Sequence, residues 1–125
     1  MALALAILSL ASCKKETEVL AAPGIEGTWV GEYEGGLYSS PKFFSFIIKN
    51  DGTLIVKSGD PNAPLTGTGT WSLTDTEFRS VYQYEGQLSK WNVAAKADIE
   101  KGEMSGAYGA GETDADDGTF YLTRQ

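Results

Sequence analysis

The reactive side chains of this chain are few, and their types limit the chemistry that it can carry out. Its 125 residues include no histidine and a single cysteine, Cys13. Histidine is the commonest general base and the commonest metal ligand. One cysteine can form neither an intrachain disulfide nor a thiolate zinc cluster. The sequence also lacks a Gly-x-Ser-x-Gly nucleophile elbow and a phosphate-binding loop. We therefore expect no catalysis, no cofactor and no metal.

The residues around Cys13 predict another role for its thiol. Residues 1–12 are uncharged and mostly apolar. They are too few to span a bilayer as a helix, which needs about 20 residues, but their number is typical of a signal-peptide core. Leu10-Ala11-Ser12-Cys13 resembles the lipobox of bacterial lipoproteins. That resemblance implies cleavage before Cys13 and lipid attachment to it. No Lys or Arg precedes the apolar run, so we expect the true start to lie upstream or to be misassigned.

The segment after Cys13 predicts a flexible tether and a location. Residues 13–24 are largely polar and end in Pro23-Gly24, a composition typical of a linker. The charged run from Lys14 to Glu18 resembles the surface-export signals of Bacteroidetes lipoproteins. Lys14 also differs from the aspartate that, in enterobacterial lipoproteins, marks retention in the inner membrane. We expect a lipid-anchored protein in the envelope of a Gram-negative bacterium, at the outer membrane. The surface-export resemblance implies exposure at the cell surface, and a solvated tether without such a signal is the alternative.

A second set of side chains could bind a ligand rather than react with one. Tyrosine and tryptophan combine an apolar ring with one polar atom, as in the walls of small-molecule sites. Residues of this kind fall towards one end of the predicted strands described below. We predict that a small apolar or aromatic ligand would contact Tyr33, Phe44, Tyr82, Tyr84, Trp91, Tyr108 and Phe120.

The elements that position these side chains are β-strands. In residues 27–35, Gly27, Trp29, Gly31 and Tyr33 alternate with a second, outward-facing set, which is the period of a half-buried strand. The outward set is Thr28, Val30, Glu32 and Glu34. About seven similar segments follow, and none has an apolar face of helical period. The sequence predicts strands over 27–35, 43–49, 53–58, 66–73, 78–85, 91–99, 104–108 and 120–124. Eight strands joined as successive hairpins favour an all-β, up-and-down antiparallel barrel over residues 25–125.

Three residues support a family resemblance. Gly27-Thr28-Trp29 at the start of the first strand is similar to the Gly-x-Trp signature of the lipocalin and calycin superfamily. Arg124 on the last strand is similar to the arginine that stacks on that tryptophan. The resemblance implies that Gly27, Trp29 and Arg124 close the barrel. The same tripeptide is also similar to avidins, but the predicted ligand end lacks the inward Ser, Thr and Asn side chains that avidins use for biotin.

The connections predict that the two ends of the barrel differ. Asn50-Asp51-Gly52, Thr74-Asp75-Thr76 and Lys101-Gly102 form tight turns at the end where the first strand begins. Longer loops, 36–42, 59–65, 86–90 and 109–117, lie at the other end. Gly31, Gly67, Gly69 and Gly106 are expected to leave space between the aromatic rings. The acid-rich segment 112–118 is slightly similar to a calcium-binding loop, but it lacks the distal glutamate of such a loop. We therefore expect this segment to be a solvated loop.

Two functional interpretations remain open. In the first, the loop end accepts a small apolar or aromatic ligand. In the second, the interior is filled, because eight strands enclose a space just wide enough for their own side chains. The barrel would then be a protein-interaction or inhibitor-type calycin module. The net charge of −7 argues against a nucleic-acid partner in either case.

Overall fold

The structure is a computed structural model that describes residues 24–36 and 38–125. The predicted signal segment, Cys13 and nearly all of the tether lie outside these residues. The described chain forms a closed antiparallel barrel of eight strands in sequential order, which confirms the predicted fold class. The strands are β1 (Gly27–Gly35), β2 (Tyr38–Ile48), β3 (Thr53–Gly59), β4 (Leu65–Thr74), β5 (Glu77–Tyr84), β6 (Trp91–Asp98), β7 (Glu103–Ala110) and β8 (Gly118–Arg124).

The period-two pattern determines which side chains fill the interior. In β3, Leu54, Val56 and Ser58 are buried, and the residues between them are more exposed. In β5, Phe78, Ser80, Tyr82 and Tyr84 are buried in the same alternation. Because successive side chains of a strand point to opposite faces, each strand places one set of residues inside the barrel and the other towards solvent.

The barrel closes through the pairing of its first and last strands. Residues from Trp29 to Gly35 of β1 pair with residues from Arg124 to Gly118 of β8, with no break in register. A closed sheet has no edge strands and therefore no row of unpaired backbone groups. Because the barrel is closed and its strands follow one another in sequence order, the structure is compatible with a lipocalin-like fold.

Tight turns form one end of the barrel, here called the tight end. In the turn between β2 and β3, Gly52 has a φ of 91°, a left-handed value that favours glycine. Asp51 Oδ1 accepts hydrogen bonds from Thr53 N (3.0 Å) and Thr53 Oγ1 (2.6 Å). These bonds to Thr53 lower the pKa of Asp51, because they stabilise its ionised form. Asp75, with a φ of 57°, lies in the turn that joins β4 to β5.

The first connection at the opposite end, here called the open end, differs from the prediction. Residues 36–42 were expected to form a loop, but β2 already begins at Tyr38. The pairing of β1 with β2 shifts between Tyr33 and Gly35, so the extra residues of β2 form a bulge that contains Pro41. The pairing of β2 with β3 starts only at Phe43. Residues 38–42 therefore have a partner on one side only, where a proline is tolerated.

A tryptophan, an arginine and the chain before β1 close the tight end. Trp29 has no exposed surface, and its Nε1 donates to Ile25 O at 3.0 Å. Arg124 Cζ lies 4.9 Å from the centroid of the Trp29 ring, a cation–π distance. The Arg124 guanidinium also donates to the Gly24 carbonyl. Ile25 is 2% exposed, so the segment that leads into β1 covers the bottom of the core.

Candidate functional site

A cavity of about 150 Å³ lies inside the barrel at its open end, and we call it the mouth cavity. Its walls are formed by residues of seven strands, β1 to β7, near the open end and by the loop after β5. Its lining consists of Tyr33, Phe44, Ser58, Leu65, Tyr82, Tyr84, Gln87, Trp91 and Tyr108. Among the described residues, those that line the cavity carry no ionisable acid or base other than tyrosine.

Six of the seven residues that the sequence predicts to contact a ligand line the mouth cavity. Tyr33, Phe44, Tyr82, Tyr84, Trp91 and Tyr108 all line the mouth cavity, and Phe120 does not. Phe120 lies one layer deeper, where its ring centroid is 5.3 Å from that of Phe44 and 5.7 Å from that of Phe46. The structure therefore places Phe120 in the packed core below the cavity.

Sequence reasoning did not identify three lining residues. Ser58 follows Leu54 and Val56 at period two in β3, so the alternation already placed it inside the barrel. Leu65 is the first residue of β4 and is half exposed. Gln87 lies in the loop after β5, where no periodic pattern indicates its direction.

Aromatic rings form the floor of the cavity and continue into the core. The centroid of Tyr33 lies 5.2 Å from that of Phe44, and Phe44 lies 5.0 Å from Phe46. Phe46 lies 5.8 Å from Phe78, which stacks on Trp71 near the tight end at 6.2 Å. The contacts of Phe44 with Tyr33 and with Phe46 have the edge-to-face geometry that aromatic pairs prefer. The lower part of the barrel is thus filled by its own side chains.

The glycines on the inner face do not leave the open space that was expected of them. A Cβ atom added at Gly69 would lie 2.6 Å from Tyr82 Cα, and one added at Gly67 would lie 3.0 Å from Tyr84 Cα. Gly69 pairs with Tyr82 and Gly67 pairs with Tyr84 across β4 and β5. The missing side chains therefore let the two strands approach closely. The same clash with a neighbouring backbone occurs at Gly31 and Gly106.

The cavity wall contains a hydrogen-bonded chain of hydroxyl groups. Ser58 Oγ donates to the Tyr84 hydroxyl at 2.7 Å, and both residues are buried. Burial, the neighbouring Tyr84 and a hydrogen bond with it raise the pKa of Tyr82 well above its usual value of 10. Tyr82 therefore stays protonated at neutral pH, and the wall presents neutral hydroxyl groups rather than phenolates.

Two buried polar atoms near the barrel interior have no hydrogen-bond partner among the described residues. Trp91 Nε1 belongs to a side chain that lines the mouth cavity. Ser80 Oγ belongs to a residue that is 3% exposed and lies below Tyr82 on β5. An indole N–H can only donate, so Trp91, whose side chain lines the cavity, has a buried donor that no described residue uses.

The loop between β7 and β8 lies against the outside of the barrel. Asn92, which alternates with the inward-facing Trp91 and Val93, is 4% exposed. Its Nδ2 donates to the carbonyl oxygens of Gly109, Gly111 and Asp114 at 3.3, 3.0 and 3.0 Å. This side chain therefore fixes the acidic loop beside β6.

The rim also contains an exposed apolar residue. Leu88, in the loop after β5, is 96% exposed. The same loop is ordered by hydrogen bonds from Gln87 N to Tyr84 O (3.1 Å) and from Gln83 Nε2 to Gln87 O (2.6 Å). Gln87 is therefore held beside the cavity, whereas Leu88 points away from the packed residues.

Over residues 24–36 and 38–125, no group of three or more His, Cys, Asp or Glu side chains is placed to hold a metal ion. In the same part of the chain, no helix has the length and apolarity needed to cross a membrane. The arrangement supports non-covalent binding through apolar walls and a few neutral polar groups. Comparisons with protein-family models, curated proteins and solved structures gave no match to this chain.

Proposed function

We propose that this protein is a lipid-anchored envelope protein whose barrel binds a small apolar or aromatic ligand in the mouth cavity. The mouth cavity carries the proposal: it is enclosed by aromatic side chains, lies over a filled core and is reached from the open end. Concave apolar sites with a few placed polar groups are typical of small-molecule binding.

The cavity volume limits the size of the ligand. A cavity of about 150 Å³ is below the roughly 300–1,000 Å³ of drug-sized sites, and is similar to an apolar cavity that accepts benzene in another protein. A ligand of about one ring therefore fits inside. A long-chain fatty acid or a retinoid would extend beyond the rim.

The binding proposal is tested by calorimetric titration of the full chain, made soluble by Cys13→Ala, with single-ring compounds such as indole. For a ligand of under ten heavy atoms we expect a Kd on the order of 0.1 mM. Leu65→Trp places a large side chain at a half-exposed wall position and should weaken binding. Leu88→Trp, at a position that does not line the cavity, is the matched control. Absence of saturation by any single-ring compound at about 1 mM would contradict the proposal.

The location proposal is supported by the sequence of the N-terminal segment. A short apolar run, small residues at Ala11 and Ser12, Cys13 and a polar tether occur in this order. One acyl chain anchors a protein only marginally, at roughly 0.8 kcal/mol per buried methylene, so a multiply acylated Cys13 would hold the chain firmly.

Cell fractionation tests the location. The natural chain should incorporate labelled palmitate and partition into the detergent phase, and Cys13→Ala should do neither. Cys13 lies outside the barrel strands, so the variant should keep the unfolding temperature of the barrel. Recovery of unlabelled natural chain in the aqueous phase would contradict the anchor.

The interaction-module alternative has one observation in its favour. Leu88 is 96% exposed at the rim, and exposed apolar residues at a rim can contribute to a protein interface. A partner recovered by chemical cross-linking in the envelope should be lost with Leu88→Ser and kept with Leu65→Ser. If cross-linked species are the same for both variants, Leu88 does not form such an interface.

A further inference from the structure

We infer that the ligand of the mouth cavity is an uncharged ring compound with a hydrogen-bond acceptor, and that Trp91 Nε1 donates to this acceptor. The inference rests on the proposed binding function and specifies the chemical class of the ligand.

The unused indole donor is the first argument. Trp91 lines the mouth cavity, and its Nε1 is buried without a hydrogen-bond partner among the described residues. The other two tryptophans differ: Trp29 Nε1 donates to Ile25 O and Trp71 Nε1 donates to Lys49 O at 2.8 Å. A buried donor without an acceptor is costly. If the indole turns towards the cavity, a carbonyl or ether oxygen on the ligand would accept from Nε1 and satisfy this donor.

The absence of charge in the wall is the second argument. None of the residues lining the cavity is Asp, Glu, Lys or Arg. Lys90, the basic residue next to Trp91 in sequence, lies 3.6 Å from Glu112 in an exposed ion pair. A buried ion without a partner of opposite charge is strongly unfavourable. The cavity therefore favours a neutral ligand over a carboxylate or an amine of the same shape.

The neutral hydroxyl groups of the wall are the third argument. Ser58, Tyr84 and Tyr82 are already linked to one another, and Tyr82 retains its proton at neutral pH. The wall thus contains no anion that would attract a cationic ligand, and Trp91 Nε1 is a buried donor in it without a partner among the described residues.

Two ligands of nearly equal shape distinguish the contribution of the hydrogen-bond acceptor to affinity from the contribution of the ring. Acetophenone and α-methylstyrene differ in a C=O in place of a C=CH2 group. Both would be titrated into the full-length Cys13→Ala chain and into its Trp91→Phe and Trp71→Phe variants. The ratio of the two dissociation constants should change about five- to tenfold on Trp91→Phe, because only acetophenone loses a hydrogen bond. Trp71→Phe, at the tight end, should leave the ratio unchanged.

The outcomes separate this inference from the proposed function. If neither ligand saturates the natural cavity, the binding function itself fails. If both bind and the ratio is the same in Trp91→Phe, the acceptor inference is overturned and the binding function stands. Benzoate, a charged analogue of similar shape, should bind at least tenfold more weakly than acetophenone at pH 7. Equal binding would overturn the inferred neutrality.

A spectroscopic measurement covers the case in which Trp91→Phe does not fold. The indole N–H resonance of Trp91 in the natural sequence should move downfield with acetophenone and change less with α-methylstyrene. Equal shifts with the two compounds would show that the indole does not donate to the ligand.

Discussion

Replacement of Arg124 by methionine tests how the tight end is closed. Methionine keeps an unbranched apolar side chain over Trp29 but removes the guanidinium. The change therefore deletes the cation–π contact at 4.9 Å and the hydrogen bond to the Gly24 carbonyl, with most of the packing retained.

The expected loss follows from these two interactions. A cation–π contact contributes about 0.5–2 kcal/mol, and we take about 1 kcal/mol because Arg124 is only partly buried. A hydrogen bond from a charged group contributes about 1.5–3 kcal/mol, and we take about 1 kcal/mol for an exposed one. The total of about 2 kcal/mol corresponds to a fall in Tm of about 10 °C for a domain of this size.

Thermal and urea unfolding of the soluble Cys13→Ala chain would measure the effect. Arg79→Met is the matched control, because Arg79 forms an exposed ion pair with Glu77 at 2.7 Å on the outside of β5. Such pairs contribute little, so this variant should change the free energy of unfolding by under about 0.5 kcal/mol. If Arg124→Met is no more destabilising than Arg79→Met, the stacked arginine does not stabilise the closed end.

Two further variants test the wall of the mouth cavity. Gly69→Ala should lower the free energy of unfolding by about 1–3 kcal/mol, since its Cβ would lie 2.6 Å from Tyr82 Cα; Thr70→Ala, on the outer face, should have little effect in the same urea titration, and equal effects would contradict the close approach. Tyr82→Phe tests the raised pKa. Because the folded state favours protonated Tyr82, its contribution is complete below about pH 10 and is lost as the pH rises above it. Between about pH 9 and pH 11 the natural chain should therefore lose about 1 kcal/mol more stability than Tyr82→Phe, and identical pH profiles would refute the assignment.

The positions of the strands could be predicted from the sequence because burial follows the period of two. Seven of the eight predicted strands both begin and end within two residues of the observed ones. The prediction was wrong for the start of β2, where Ser39, Ser40 and Pro41 are typical of a loop. A bulge that lies beyond the end of β3 admits the proline, and such a bulge depends on pairing between strands, which local sequence does not encode.

The candidate site was predictable in its residue types but not in its dimensions. Alternation placed six aromatic residues at the open end, where they line the cavity. Phe120 follows the same pattern, but the depth of a side chain depends on the stagger of the strands. From the sequence alone, glycines such as Gly69 were expected to leave open space between the aromatic rings, because they have no side chain. In three dimensions the neighbouring strand occupies that space, so the cavity is smaller than a count of small residues suggests.

The segment before β1 lies at the tight end, where Gly24 accepts a hydrogen bond from Arg124 and Ile25 is buried. The mouth cavity opens at the opposite pole of the barrel. A lipid at Cys13, as proposed above, would thus be attached at the sealed pole of the barrel, and the entrance lies at the pole opposite this attachment. The anchor would therefore leave the entrance unobstructed, and dissolved compounds would reach the mouth cavity without passing the attachment point.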